Sequence, residues 1–153
     1  ALAQAGIADG TAKLREAIAS GAAAERFGRM VYGLGGPKTF LEDWPRYLPE
    51  ATVIEEVPSP RAGTVTAIDG EALGLAVVRM GGGRQVESDR IDPAVGLSEV
   101  VRLGTRVAQG QPLARVHAAR EDHARAAAAA VQAAVTLGDA APDPGPLVRE
   151  RIA

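Results

Sequence analysis

The chain contains no cysteine in its 153 residues. That excludes disulfides and thiolate nucleophiles and leaves the redox compartment undetermined. Aromatic residues are nearly as scarce, with two Phe, two Tyr and one Trp, so alanine, valine and leucine must supply most of any packed core. The shortage also removes the stacking series that single-stranded nucleic acid needs. Lys13 and Lys38 are the only lysines, which leaves covalent lysine chemistry very few candidates. Neither sign of charge dominates: 17 Lys and Arg face 19 Asp and Glu, for a formal net charge of −2. No global attraction to nucleic acid or to an anionic membrane follows. No apolar run approaches bilayer-spanning length, and neither end has the basic-then-apolar layout of a signal peptide. The expectation is a soluble, cytoplasmic protein with no nucleic-acid or membrane partner. Ala1 opens inside amphipathic helical sequence without an initiator methionine, which suggests processing or a fragment cut from a longer polypeptide.

What is present suits one core with a small appendage, because 46% of the residues are apolar. Residues 1–50 read as helical. Leu14 and Ile18 are four apart, and Phe27, Met30, Val31 and Leu34 recur at three- and four-residue steps along one stripe. Ser20 is placed to cap a helix over 21–32, with Gly33, Gly35 and Gly36 as its exit. Pro37 suits the first turn of a short helix containing Phe40 and Leu41, and Pro45 and Pro49 close the region.

From residue 52 the pattern changes. Thr52 to Val57 is β-prone, Pro58 and Pro60 punctuate it, and Gly63 to Ile68 offers a second strand. Asp69 is a credible N-cap for a helix over 70–80 with Leu73, Val77 and Met80 on its buried stripe. Gly81, Gly82 and Gly83 stop it. Short strands are expected over 84–87, 99–102 and 113–117, with a sharp turn between Leu103 and Leu113. An alanine-rich helix is expected over 121–137, with Val131 and Val135 against a sheet. Pro142, Pro144 and Pro146 cannot continue it. The combination is a packed α+β module.

No complete catalytic set stands in this pattern. Gly81 to Gly83 beside Arg84 could offer backbone N–H groups to phosphate, but they follow a helix, whose C-terminal dipole end disfavours an anion. Neither a P-loop nor a dinucleotide fingerprint is present. His117 and His123, the only histidines, flank Glu121 and Asp122 and supply donors zinc accepts, but not at an established ligand spacing. A hydrogen-bonded junction histidine and an exposed helical one are the simpler readings. Asp89, Asp92, Glu99 and Asp122 could act as paired carboxylates, yet no spacing brings two together; Asp89 and Asp92 read more simply as turn and cap residues. Arg84 and Arg90 suit phosphate or structural ion pairs. Ser88 and Ser98 show no activating arrangement with a histidine and an orienting acid.

Four ordered segments carry a resemblance. They are Phe27-Gly-Arg-Met-Val-Tyr-Gly-Leu-Gly-Gly-Pro37, Ala72-Leu-Gly-Leu-Ala-Val-Val-Arg-Met-Gly-Gly-Gly-Arg84, Asp89-Arg-Ile-Asp-Pro-Ala-Val-Gly96 and Gly110-Gln-Pro-Leu-Ala-Arg-Val-His-Ala118. Together they closely resemble the C-terminal part of the thymidine phosphorylases, the pyrimidine-nucleoside phosphorylase family, over nearly the whole chain. The resemblance implies that residues 1–50 end the central part of the family's large α/β domain and that residues 52–153 form its C-terminal module, an α/β-hammerhead. It also implies a homodimeric parent enzyme whose main dimer contacts lie in an N-terminal helical domain outside this chain. Such an enzyme phosphorolyses thymidine or deoxyuridine to the free base and 2-deoxyribose 1-phosphate. Phosphate attacks the anomeric carbon while the base leaves, so groups that hold phosphate on one side and developing negative charge on the other lower the barrier.

The family's phosphate-binding segment and its arginine-to-lysine pyrimidine segment have no counterpart here, and neither Lys13 nor Lys38 sits in a matching motif. No catalytic, cofactor-binding or metal-binding residue is therefore carried over. Gly81, Gly82, Gly83, Arg84, Asp89, Asp92, Gly96, Gly110 and His117 match as structural motif residues that support the module and its packing against the remainder of the parent. The chain alone is expected to be inactive. The competing reading is a non-enzymatic protein-interaction module, since the segments Val57 to Val65 and Gly104 to Leu113 resemble turns of biotinyl and lipoyl carriers. Carrier chemistry itself is excluded, because no lysine follows Lys38.

Overall fold

The computed structural model describes residues 9–143 together with 145, 146, 148, 150 and 152. The helical reading of Ala1 and the place of Pro144 lie outside those residues. The chain divides into two compact units, Ala1–Pro49 and Glu50–Ala153.

In the first unit, α1 (Gly10–Ala19) and α2 (Ala22–Gly33) are joined by a tight break. The cap of α2 is Gly21, at φ 80°, instead of Ser20, whose hydroxyl lies at the outer limit, 3.5 Å, from the Ala22 N–H. A left-handed residue is needed to turn the chain between two abutting helices, and glycine takes that conformation without a Cβ penalty. Residues 37–42 form turns, whereas the short helix is α3 (Trp44–Tyr47), with Pro45 inside its first turn instead of terminating the region. Phe40 stacks on Tyr47 and meets Phe27 edge-on, at centroid distances of 6.3 and 6.1 Å. No described residue up to Pro49 is buried, so the stripe of Phe27, Met30 and Leu34 stays largely exposed.

The second unit holds the core. β1 (Val53–Pro58) pairs antiparallel with β5 (Pro112–Ala118), which also pairs with β3 (Gly96–Ser98), giving the order β1-β5-β3. β2 (Gly63–Ile68) lies between β4 (Arg106–Val107) and β6 (Val135–Gly138) in a second antiparallel sheet. Val57, Val65, Leu113, Val116 and Val131 are the largest fully buried side chains. Between the sheets' segments run α4 (Gly70–Val77) and α5 (Glu121–Ala134). The described residues thus form a mixed α+β fold with two small antiparallel sheets.

α4 starts where Asp69 Oδ1 accepts the Ala72 N–H at 2.9 Å, a cap worth about 1 kcal/mol. Burial dominates that term, since emptying the Leu113 site to alanine would cost roughly 2–5 kcal/mol. On α4 the deepest residue is Ala76, while Leu73 and Val77 are only partly buried against the core. α5 buries Ala124, Ala127, Val131 and Ala134, a single stripe at helical spacing. Small alanine side chains let it lie close against α4, β5 and β1.

Three strand expectations and both helix ends shift. Residues 84–87 are turns because Asp89 Oδ2 accepts the N–H groups of Gln85 and Val86 at 2.9 and 3.1 Å, diverting the backbone from a ladder. The strand expected over 99–102 lies earlier, at Gly96–Ser98, and Glu99 turns out of it with φ 52°. The strand expected over 113–117 is present and extends one residue each way. α4 ends at Val77 and passes into a wide π-type turn, Val78–Gly82. The alanine helix stops at Ala134, and Val135–Gly138 is β6, paired with β2 from Thr64↔Gly138 to Ile68↔Val135 with a register shift between Val65 and Ala67.

Candidate functional site

The motif residues collect around the exit from α4 and the outer face of the β1-β5-β3 sheet. Gly81 sits at φ 104° inside the π-type turn, a conformation that strains any L side chain. A Cβ at Gly82 would lie 2.6 Å from Val77 Cγ1 and 3.1 Å from the Val77 carbonyl oxygen. At Gly83 it would lie 2.7 Å from Val78 Cγ2. One glycine therefore answers a backbone angle, and the other two answer a close approach. Arg84 is exposed just beyond them.

Asp89 and Asp92 both act on the loop that follows. Asp89 closes the turn at Gln85 and Val86, while Asp92 Oδ1 accepts the Ala94 N–H at 2.9 Å and the Asp92 N–H donates to the Gly81 carbonyl at 2.9 Å. Gly110, at φ 80°, turns the chain into β5 and donates its N–H to the Ser59 carbonyl at 2.8 Å. Gly96 stands opposite His117 in the ladder.

The fold brings one pair together that sequence spacing leaves apart. Ser98 Oγ lies 2.8 Å from His117 Nε2, 19 positions along the chain. Ser98 is opposite Arg115 in the register, so His117 is its diagonal neighbour on the same face. A hydroxyl against an imidazole is half of a nucleophile–base arrangement. The nearby acids serve another partner: Glu56 Oε1 and Glu99 Oε1 each accept from Arg115, at 3.2 and 3.1 Å. With no carboxylate among the described residues hydrogen-bonded to the imidazole, they supply no orienting third group of a triad. The pair acts as a cross-strand tie beside two exposed ion pairs, each worth about 0–1 kcal/mol.

His117 and His123 do not meet in a shared cluster, and no group of three or more His, Cys, Asp or Glu side chains among the described residues is placed to hold a metal ion. His123 Nε2 instead faces Arg120, which also reaches both Asp122 carboxylate oxygens at 3.2 Å. Desolvation pushes the Asp122 carboxyl upward. The His123 backbone N–H, followed by the charges of Arg120 and His123, outweighs it and holds the group below its ordinary value. Ser88, exposed in the 83–90 loop, has no hydrogen-bond partner among the described residues. No helix among them is long and apolar enough to cross a membrane.

The class is therefore a mixed α+β module whose motif residues shape backbone and loop and whose described side chains assemble no complete catalytic triad. Residues 64–138 match the family model described as "Pyrimidine nucleoside phosphorylase C-terminal domain". That match supports a family-level placement of the C-terminal segment. It runs from β2 through β6, and its first and last residues, Thr64 and Gly138, are partners in one ladder.

Proposed function

We propose that this chain is the C-terminal part of a thymidine phosphorylase. In that reading the parent enzyme converts thymidine, or deoxyuridine, and inorganic phosphate to the free base and 2-deoxyribose 1-phosphate, as a cytoplasmic homodimer. Residues 1–50 end the central part of the parent's α/β domain, and residues 52–153 are its α/β-hammerhead module. The single observation that carries the reading is the family-model match over residues 64–138. The role of the motif glycines is mechanical: they let the chain leave α4 tightly enough to pack against Val77, Val78 and Val95.

The reacting groups come from upstream polypeptide. Phosphorolysis needs donors around phosphate and around the departing base, and neither set is among the motif residues of this chain. Purified residues 1–153 should release no thymine from thymidine in the presence of phosphate, and activity should return when the remainder of the parent is co-expressed with them. Robust turnover by the isolated chain would overturn the division of labour. A co-expressed pair that associates without phosphorolysing thymidine would favour the interaction-module reading.

A further inference from the structure

Residues directly opposite each other in an antiparallel pair share a face of the sheet. β1 meets β5 with Val53 opposite Ala118, Glu55 opposite Val116 and Val57 opposite Ala114. All three β5 residues are buried, as is Val57, and Val53 packs against the same core. This row is therefore the core-side face of β1. Glu55 stands in the middle of it, where period-two alternation calls for a third apolar side chain. It is exposed and makes no ion pair among the described residues, whereas Glu56, on the other face, reaches Arg115 at 3.2 Å.

β1 is also an edge. Its sheet runs β1-β5-β3, and among the described residues β5 is the only strand paired with it. The far side of an edge strand offers backbone N–H and C=O groups to any strand that approaches, and an inward-pointing charge is one device that discourages such pairing.

The symmetry of self-pairing picks out this position. A two-fold axis perpendicular to the sheet is the closed way to join two identical edges, and it keeps their core-side faces together. Pro58 has no N–H, and the register shifts between Val57 and Pro58, so the stretch free to pair is 53–57 and its midpoint is Glu55. Val53 then meets Val57 of the second copy, and Glu55 meets its own counterpart. Two carboxylates directly opposed repel, and both would lose water in an apolar row. We propose that Glu55 guards the β1 edge: its charge keeps two copies of this chain from joining β1 to β1 and merging their three-stranded sheets into one. The guard stands independently of the phosphorylase reading.

The test uses the intact 153-residue chain in sedimentation velocity over a concentration series. Glu55→Val should strengthen association at least about tenfold over the parent, with the thermal unfolding midpoint of the dilute chain retained. Glu55→Lys should not, because opposed ammonium groups repel in the same way. The chain has no cysteine, so introduced thiols report the register. Directly opposed Cα atoms stand about 4.5–5.5 Å apart, inside the range of about 4.4–6.8 Å that a disulfide spans, while diagonal neighbours at about 7–8 Å lie beyond it. Under mild oxidation Glu55→Cys should therefore yield a disulfide-linked dimer faster than E55V/E56C, whose thiols lie on the diagonal. A Glu55→Val chain that associates no better than the parent, equal association of E55V and E55K, or equal cross-linking from positions 55 and 56 would each overturn the proposal.

Discussion

At Gly82 a single methyl group would have nowhere to go, because Val77 Cγ1 and the Val77 carbonyl already occupy its space. Gly74, one helical turn into α4, is the opposite case: nothing lies within 4 Å of a Cβ built there, and the backbone is helical. The same substitution should therefore change sign between the two positions. Gly82→Ala should destabilise by about 1–3 kcal/mol through overpacking against backbone and a branched side chain. Gly74→Ala should stabilise by roughly 0.5–1 kcal/mol, because alanine restricts the unfolded chain and favours helix. Urea unfolding midpoints on either side of the parent chain check the pair. The sequence shows Gly81, Gly82 and Gly83 as a helix exit, and that much is legible from position alone. Which glycine answers an angle and which answers a contact depends on Val77, Val78 and Val95, whose proximity only the folded chain defines.

Elements with their own punctuation are legible in the sequence. Asp69 before an apolar helical stripe marked the start of α4, and the Pro and Gly residues around 58–63 separated β1 from β2. β6 was hidden because Val135 to Leu137 continue an alanine run at helical spacing; the signal against helix was the β-branched pair Val135-Thr136, which is weaker than the partner strand β2 that captures it. Ser98 and His117 were unreadable as a pair for a related reason, since their contact exists only in the β3-β5 register. The N-terminus of α5 carries a charge device of its own. Glu121 and Asp122 lie in its first turn, where negative charge complements the helix dipole, and Asp122 titrates below its ordinary value. A depressed carboxyl contributes stability above its unfolded pKa, about 3.9, and that contribution disappears as pH falls through the folded value. Asp122→Asn should accordingly melt below the parent at neutral pH. The two melting temperatures should converge as pH drops from about 5 to below 4; a gap that persists in acid would assign the loss to packing instead of charge.

For the whole second unit, the decisive question is which stretch of chain closes the core. The family-matched segment ends on itself, Thr64 against Gly138, yet β1 lies outside it and supplies one of the two partners of β5. Val57 of β1 is fully buried. The turn after β1 is tied down on three sides: Gln132 Nε2 donates to the Pro58 carbonyl at 2.7 Å, the Ser59 N–H donates to the Gln111 carbonyl at 2.8 Å, and an Arg61 guanidinium N–H donates to the Leu137 carbonyl. These bonds reach α5, the β4-β5 turn and β6, so β1 and its turn tie together elements from both sheets. Removing them would uncover Val57's site, worth about 1.5–3 kcal/mol in burial alone, and would leave β5 with an unpaired edge prone to association. A chain of residues 50–153 should unfold in one cooperative urea transition, whereas residues 63–153, though they contain the entire matched segment, should unfold at least about 3 kcal/mol more easily once the lost hydrogen bonds are added. Equal midpoints for the two chains would show that the core closes without β1 and that the structural unit is no larger than the matched one.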